Sequence, residues 1–293
     1  MLDNLYIFVI NLKKRVDRLQ NIKKELEKTE LINKDNIIII NAIDSEYAKK
    51  EKFNFITEIA YRNILYGDST TILPTWGSVG CAMSHMKCWD LIVEKYADND
   101  DNLFLILEDD LEIKDIIKFN FKLMSAYFIY KKNKKGLLKE ILNEYKYSSN
   151  KNLSNQPLLL LFESNTSNNS VLPFFNDLYS VNGDFRGTHC YMINKEFIFS
   201  NKESLIPFTY QFDIQLSQID NYLLYNNDYY NHIYDIYNFK KSKILNLKNA
   251  GIIQSKKFSS DVQVFKPSIN FLKKTFYLPL DACSIIYNYL NYN

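Results

Sequence analysis

Three short runs of apolar and aromatic residues, Tyr6–Ile10, Ile37–Ile40 and Leu103–Leu107, constrain this chain more than any other feature. Each is too short for a stable helix and lacks the alternation of a strand wetted on one side. Such runs read as strands buried on both faces. Between them the apolar period changes. Val16, Leu19, Ile22 and Leu26 share one helical face, and Val79, Met83, Met86, Trp89 and Val93 share another on a helix from Val79 to Tyr96. Doubly buried strands separated by helices predict an α/β domain: a mostly parallel central sheet flanked by helices. Further along, Leu158–Phe162, Cys190–Ile193 and Tyr229–Tyr237 read as strands, Ile116–Tyr147 and Asp213–Tyr225 as helices. Ser148–Gln156 reads as a polar linker and Asn165–Ser170 as a polar loop.

Composition narrows the function classes. With 293 residues and 46% hydrophobic content the chain can build a sizeable core, so one large domain is the default. A formal net charge of +2 lacks the basic excess of a nucleic-acid binder. No apolar run approaches the roughly 18 residues that span a bilayer. Leu5–Ile10 follows Asp3 and not a basic segment, which reads as a strand and not a signal peptide. The four cysteines, Cys81, Cys88, Cys190 and Cys283, show no paired metal spacing and no disulfide framework. The expectation is a cytoplasmic protein, with the cytoplasmic face of a membrane as a second location.

The third apolar run stops at Glu108-Asp109-Asp110. Ligands of open α/β sheets bind beyond the carboxyl ends of the strands. Three carboxylates placed there are costly unless positive charge compensates them. A divalent cation is the natural compensator, because hard cations take oxygen ligands and carry nucleotide phosphates as further ligands. The competing reading is an acidic cap on a following helix. The first strand similarly ends in Asn11-Leu12 and delivers Arg15 and Arg18 to a helix start, where guanidinium forks suit phosphate oxygens. A solvated basic turn is the plainer alternative. Gly80-Cys81-Ala82-Met83-Ser84-His85 places Ser84 and His85 on an otherwise apolar helix, and a hydrogen-bonded core histidine is the plainer reading there.

Taken in order, these blocks resemble glycosyltransferase family 25, the lipo-oligosaccharide and collagen β-galactosyltransferase group. The resemblance rests on Phe8-Val9-Ile10-Asn11-Leu12 with Arg15 and Arg18, on Asn41-Ala42-Ile43-Asp44, and on Gly80 to His85 with Trp89. It continues through Leu105 to Asp110, Gly187-Thr188-His189-Cys190-Tyr191-Met192-Ile193, Phe212-Asp213-Ile214-Gln215-Leu216, and Gln254-Ser255 near Ser260-Asp261. Ser78 departs from the pattern, standing where family members often carry an acidic residue. The strand before Glu163 also lacks the family's usual acidic start.

The resemblance implies a GT-A (Rossmann-like) fold over 1–265 with a helical insertion near 116–156. It implies a UDP-sugar donor (galactose or glucose), Mn²⁺ or Mg²⁺, and inversion at the anomeric carbon. The acceptor would be a hydroxyl of a glycan, a lipid-linked saccharide or a protein such as collagen-like hydroxylysine. Asp110 and Glu108 would hold the metal. Asn11, Leu12, Arg15, Arg18, Asp44, Gly80, Ser84, His85, Asp109 and Gln254 would handle the nucleotide-sugar. Asp213 would be the catalytic base, with a helix N-cap as its alternative role. His189 and His232 are candidates for a further metal ligand. The tail, 266–293, reads as an amphipathic extension, packed back on the domain or resting on a membrane surface. Two rival functions stay open: a metal-dependent phosphohydrolase, and a binding module that holds a UDP-sugar or glycan without turnover.

Overall fold

The computed structural model describes residues 2, 4–51, 54–67, 69–134, 157–166, 169–171, 178–181, 185–225, 243–248, 250–255 and 257. The strands predicted at Tyr229–Tyr237, the linker Ser148–Gln156 and the tail 266–293 lie outside them, as do His232 and Asp261.

Each of the three apolar runs becomes a strand: β1 (Leu5–Asn11), β2 (Ile37–Asn41) and β3 (Leu103–Glu108). The chain folds β1–α1 (Val16–Leu26)–β2–α2 (Ser45–Lys50)–α3 (Glu58–Tyr66)–α4 (Trp76–Lys95)–β3. After β3 come β4 (Leu111–Ile113), α5 (Ile116–Lys134), β5 (Leu158–Phe162), β6 (Asn165–Thr166), β7 (Asn169–Val171), β8 (Leu178–Val181), β9 (Phe185–Arg186) and β10 (Cys190–Ile193). Then follow α6 (Lys195–Asn201), α7 (Phe212–Tyr225), β11 (Lys243–Leu247) and β12 (Ile252–Gln254). Among the described residues, eight strands form one sheet in the order β2-β1-β3-β10-β5-β11-β8-β7. β2, β1 and β3 are mutually parallel, as are β5 and β11, while β10 and β8 run against their neighbours. Six of these eight strands point the same way, the mostly parallel orientation expected, with β10 and β8 reversed between them.

The alternation along β3 shows why its sequence is apolar throughout. Phe104 and Ile106 enter a core with Val79, Trp89 and Ile92 of α4 on one face. Leu103, Leu105 and Leu107 enter a second core with Ile22 and Leu26 of α1 and Phe119, Leu123 and Ile129 of α5 on the other. At about 25 cal/mol per Å² of apolar area, two covered faces hold this strand firmly, as they do β1, β10 and β5.

Three local expectations need correction. Helix α1 does not bury Val16, which is 55% exposed; its inner face carries Arg18, Ile22, Glu25 and Leu26. Helix α4 begins three residues before Val79, where the Thr75 side chain accepts from the Ser78 amide at 3.1 Å, so Gly80 lies inside the helix and not at its N-terminus. The polar stretch Asn165–Ser170 contains strand residues, because β6 pairs with β9 and β7 with β8. None of the described helices is long and apolar enough to cross a membrane.

Candidate active site

The carboxyl ends of β1 and β3 bring Asn11 and Glu108 to one edge of the sheet. Because β10 runs antiparallel beside β3, its incoming loop returns Gly187-Thr188-His189 to that same edge, and the Glu108 amide donates to the His189 carbonyl at 3.0 Å. The acidic triplet caps no helix. Asp109 and Asp110 form a turn into β4, which pairs with β12 and so sets Gln254 opposite Leu111.

The three carboxylates have different surroundings. Asp109 turns toward α1, accepting from Asn11 Nδ2 at 2.6 Å and from Arg18 at 3.0 Å. This buried pair explains the shift at the start of the inner face of α1: Arg18 is drawn in to neutralise Asp109 and Val16 is turned out, while Ile22 and Leu26 stay buried. Burial raises the Asp109 pKa, and the Arg18 and Asn11 bonds oppose that rise. Asp110 accepts from Gln254 Nε2 at 2.9 Å through Oδ2, with Arg18 3.8 Å away. Its Oδ1 is buried and has no hydrogen-bond partner. Burial and then the neighbouring Glu108 charge push its pKa up to about 7. Burial also works to raise the Glu108 pKa, but His85, His189 and the Thr188 hydroxyl outweigh it and hold the group below the ordinary range. Two adjacent carboxylates thus titrate apart, the pattern by which one site separates protonation roles.

Asp213 faces this cluster from the first turn of α7. Its carboxylate accepts from the Gly187 amide at 2.9 Å and from the Ile214 amide at 2.8 Å. Gly187 has φ +100°, a left-handed conformation that a side chain disfavours, and this turns its amide onto Asp213. Burial raises the Asp213 pKa, and the Glu108 charge adds to the rise. Asp213 is thus the second residue of the helix and not its N-cap, while its electrostatic proximity to Glu108 is present.

Other expected nucleotide contacts have structural partners of their own. The Ser84 hydroxyl donates to the Gly80 carbonyl at 2.6 Å and accepts from the Ile43 amide at 2.8 Å, tying α4 to the loop after β2. A Cβ on Gly80 would lie 2.5 Å from the Ile43 carbonyl oxygen, so the glycine permits that close approach. Asp44 caps α2, accepting from the Tyr47 amide at 2.8 Å. Arg15 pairs with Asp17 at 3.1 Å, and its amide donates to the Leu12 carbonyl at 2.7 Å. Of the expected residues, Asn11, Arg18, Glu108, Asp109, Asp110, Gln254 and Asp213 converge on the sheet edge. Ser84, Gly80 and Asp44 instead build the wall beside it.

Residues 4–215 match the family model described as Glycosyltransferase family 25 (LPS biosynthesis protein). The chain belongs to glycosyltransferase family 25. It is also 31% identical over 119 residues to a protein of Acanthamoeba polyphaga mimivirus named "Putative glycosyltransferase R655". That match covers 41% of this chain and 32% of the mimivirus protein, so the chain spans about a third of that relative's length.

Two residues at this edge stand within the family 25 blocks of the sequence but are assigned no role there. Thr188 donates its hydroxyl to Glu108 at 3.3 Å, and it was visible only as part of a block. Cys81 lies within electrostatic reach of Glu108, Asp213, Asp110 and Asp109, although its isolated spacing suggested nothing.

Proposed function

We propose that the chain transfers a hexosyl group, galactose or glucose, from a UDP-sugar to a hydroxyl acceptor with inversion at the anomeric carbon. The observation that carries this reading is Asp110: a buried carboxylate oxygen without a partner, beside Glu108, at the end of a doubly buried strand. Membership of glycosyltransferase family 25 supports the reaction class. Such an oxygen fits a hard divalent cation, Mn²⁺ or Mg²⁺, with Asp110 and Glu108 as its protein ligands. When bound, that cation supplies positive charge to the departing diphosphate.

The remaining work falls to side chains. Asp213, whose pKa burial raises above the ordinary carboxylate value, accepts the proton of the acceptor hydroxyl as the new bond forms. Two backbone amides hold its carboxylate in place, so its aim does not depend on a flexible partner. Arg18 and Asn11 fix Asp109 and thereby the turn that presents Asp110. The acceptor we assign to the class of glycan hydroxyls, in keeping with the lipopolysaccharide-biosynthesis description of the family. Lipid-linked saccharides and hydroxylysine are the alternatives for that test.

The experiment is UDP release from a panel of UDP-sugars with and without Mn²⁺, for wild type and Asp110→Asn. Release of UDP from one donor, dependent on metal, accelerated by acceptor and lost in the variant, is the expected result. Release that ignores every acceptor would point to a phosphohydrolase. UDP binding without any release would point to a binding module.

A further inference from the structure

Cys81 and His85 stand one helical turn apart on α4, and both meet the end of β3. One ligating atom from each of Cys81, His85 and Glu108 lies within 4.8 Å of the others. The His85 ring is fully buried and held on two sides. Its Nδ1 lies 3.0 Å from the Tyr191 hydroxyl, which also accepts from Trp89 Nε1–H at 3.0 Å. Its face stacks on Phe212, with centroids 4.2 Å apart and planes 6° from parallel. The ring is thereby fixed with Nε2 toward Glu108, 3.5 Å from Oε1, yet that buried nitrogen has no hydrogen-bond partner. A buried ring nitrogen that meets the Glu108 carboxylate only at 3.5 Å and makes no hydrogen bond, with the Cys81 thiol in the same cluster, is a group that a bound cation would complete.

The donor set decides which ligand fits. A thiol, an imidazole and a carboxylate together do not suit Mg²⁺, which prefers oxygen, but they are the ligand types of zinc. Zinc bonds of about 2.0–2.3 Å in tetrahedral geometry place ligand atoms roughly 3.5 Å apart. Partly exposed Cys81 and Glu108 need only draw in modestly to reach that spacing. Metal-bound histidines are characteristically anchored through their second ring nitrogen, as Nδ1 is here on Tyr191.

We infer that Cys81, His85 and Glu108 form a binding site for a thiophilic divalent cation, zinc in the first instance. Water completes the coordination. Binding converts the Cys81 thiol to a thiolate, releases its proton to solvent and leaves Nδ1–H to donate to Tyr191. This site is distinct from the oxygen site at Asp110 but shares Glu108 with it. Zinc would therefore compete with a hard cation for that carboxylate, a consequence that rests on the transferase reading, whereas zinc binding itself does not.

The test uses the full metal-free chain, with no nucleotide present, titrated with Co²⁺ and then Zn²⁺. The expected result is one equivalent bound, a near-ultraviolet thiolate-to-cobalt charge-transfer band, and loss of that band as zinc displaces cobalt. Cys81→Ser and Cys81→Ala should both abolish the band and weaken zinc binding by about 100-fold. Glu108→Gln should keep the band with weaker binding, which serves as the check should the cysteine variants fold poorly. Absence of the band in wild type, or its survival in Cys81→Ser on another thiol, would overturn the proposal. Neither outcome bears on UDP release, so the two readings fail separately.

Discussion

The two sides of the turn after β3 treat charge in opposite ways. Toward α1, Asp109 is closed off by Asn11 and Arg18. Toward the mouth and α4, Asp110 Oδ1, His85 Nε2 and His189 Nε2 are buried without hydrogen-bond partners. Proteins seldom leave such atoms unsatisfied unless a ligand or water completes them. On the reading proposed above, the closed side holds the turn in place and the open side binds. Substitutions on the first should cost stability, and substitutions on the second should cost function while relieving the fold.

The largest effect expected is on the closed side. Arg18→Ala leaves Asp109 as a buried carboxylate without its cation, and should destabilise the chain by about 3–5 kcal/mol in denaturant titration. The double substitution Arg18→Met with Asp109→Leu should recover most of that loss, because the pair's net contribution is small once both charges are gone. If Arg18→Ala were as stable as wild type, the closed side would not be the anchor described here.

Asp110→Asn should behave in the opposite sense. A carboxylate whose pKa stands at about 7 in the fold and near 3.8 when unfolded keeps its proton longer in the native state. Stability from this group is therefore present below the unfolded value and is lost as pH rises from about 4 toward 7. The asparagine removes that penalty, so the variant should be more stable by about 2–4 kcal/mol at pH 8 and equal to wild type near pH 3. Its metal-dependent UDP release should fall by at least about 100-fold at every pH. In the wild type, Mn²⁺ affinity should rise as pH passes through 7, because the cation takes the ionised carboxylate and competes with its proton. A variant that lost stability and activity together would place Asp110 on the closed side.

The same division explains what could be read from the sequence. The core strands and the acidic triplet are local patterns: five apolar residues in a row leave few alternatives, and β3 ends where its carboxylates begin. The α1 face was misread at Val16 because burial of Arg18 is set by Asp109, 91 residues away. Asn165–Ser170 is polar enough to read as loop, yet strand pairing with β9 and β8 makes part of it extended. Cys81, His85 and Glu108 come together only because α4 packs beside β3, a contact that no spacing rule contains.

The smallest effect tests whether the wall beside the site belongs with the closed side. Ser84 was expected at the sugar-diphosphate, but its hydroxyl both donates to Gly80 and accepts from Ile43 while the residue is 1% exposed. A buried hydroxyl with both bonds made inside the protein has little left to offer a donor. Ser84→Ala strands the Ile43 amide and should cost about 1–2 kcal/mol of stability. Turnover at temperatures below the melting transition should change by less than about 3-fold, because no ligand contact is removed. A large rise in KM for the donor with unchanged stability would return Ser84 to the binding site and move the boundary between the two sides onto α4.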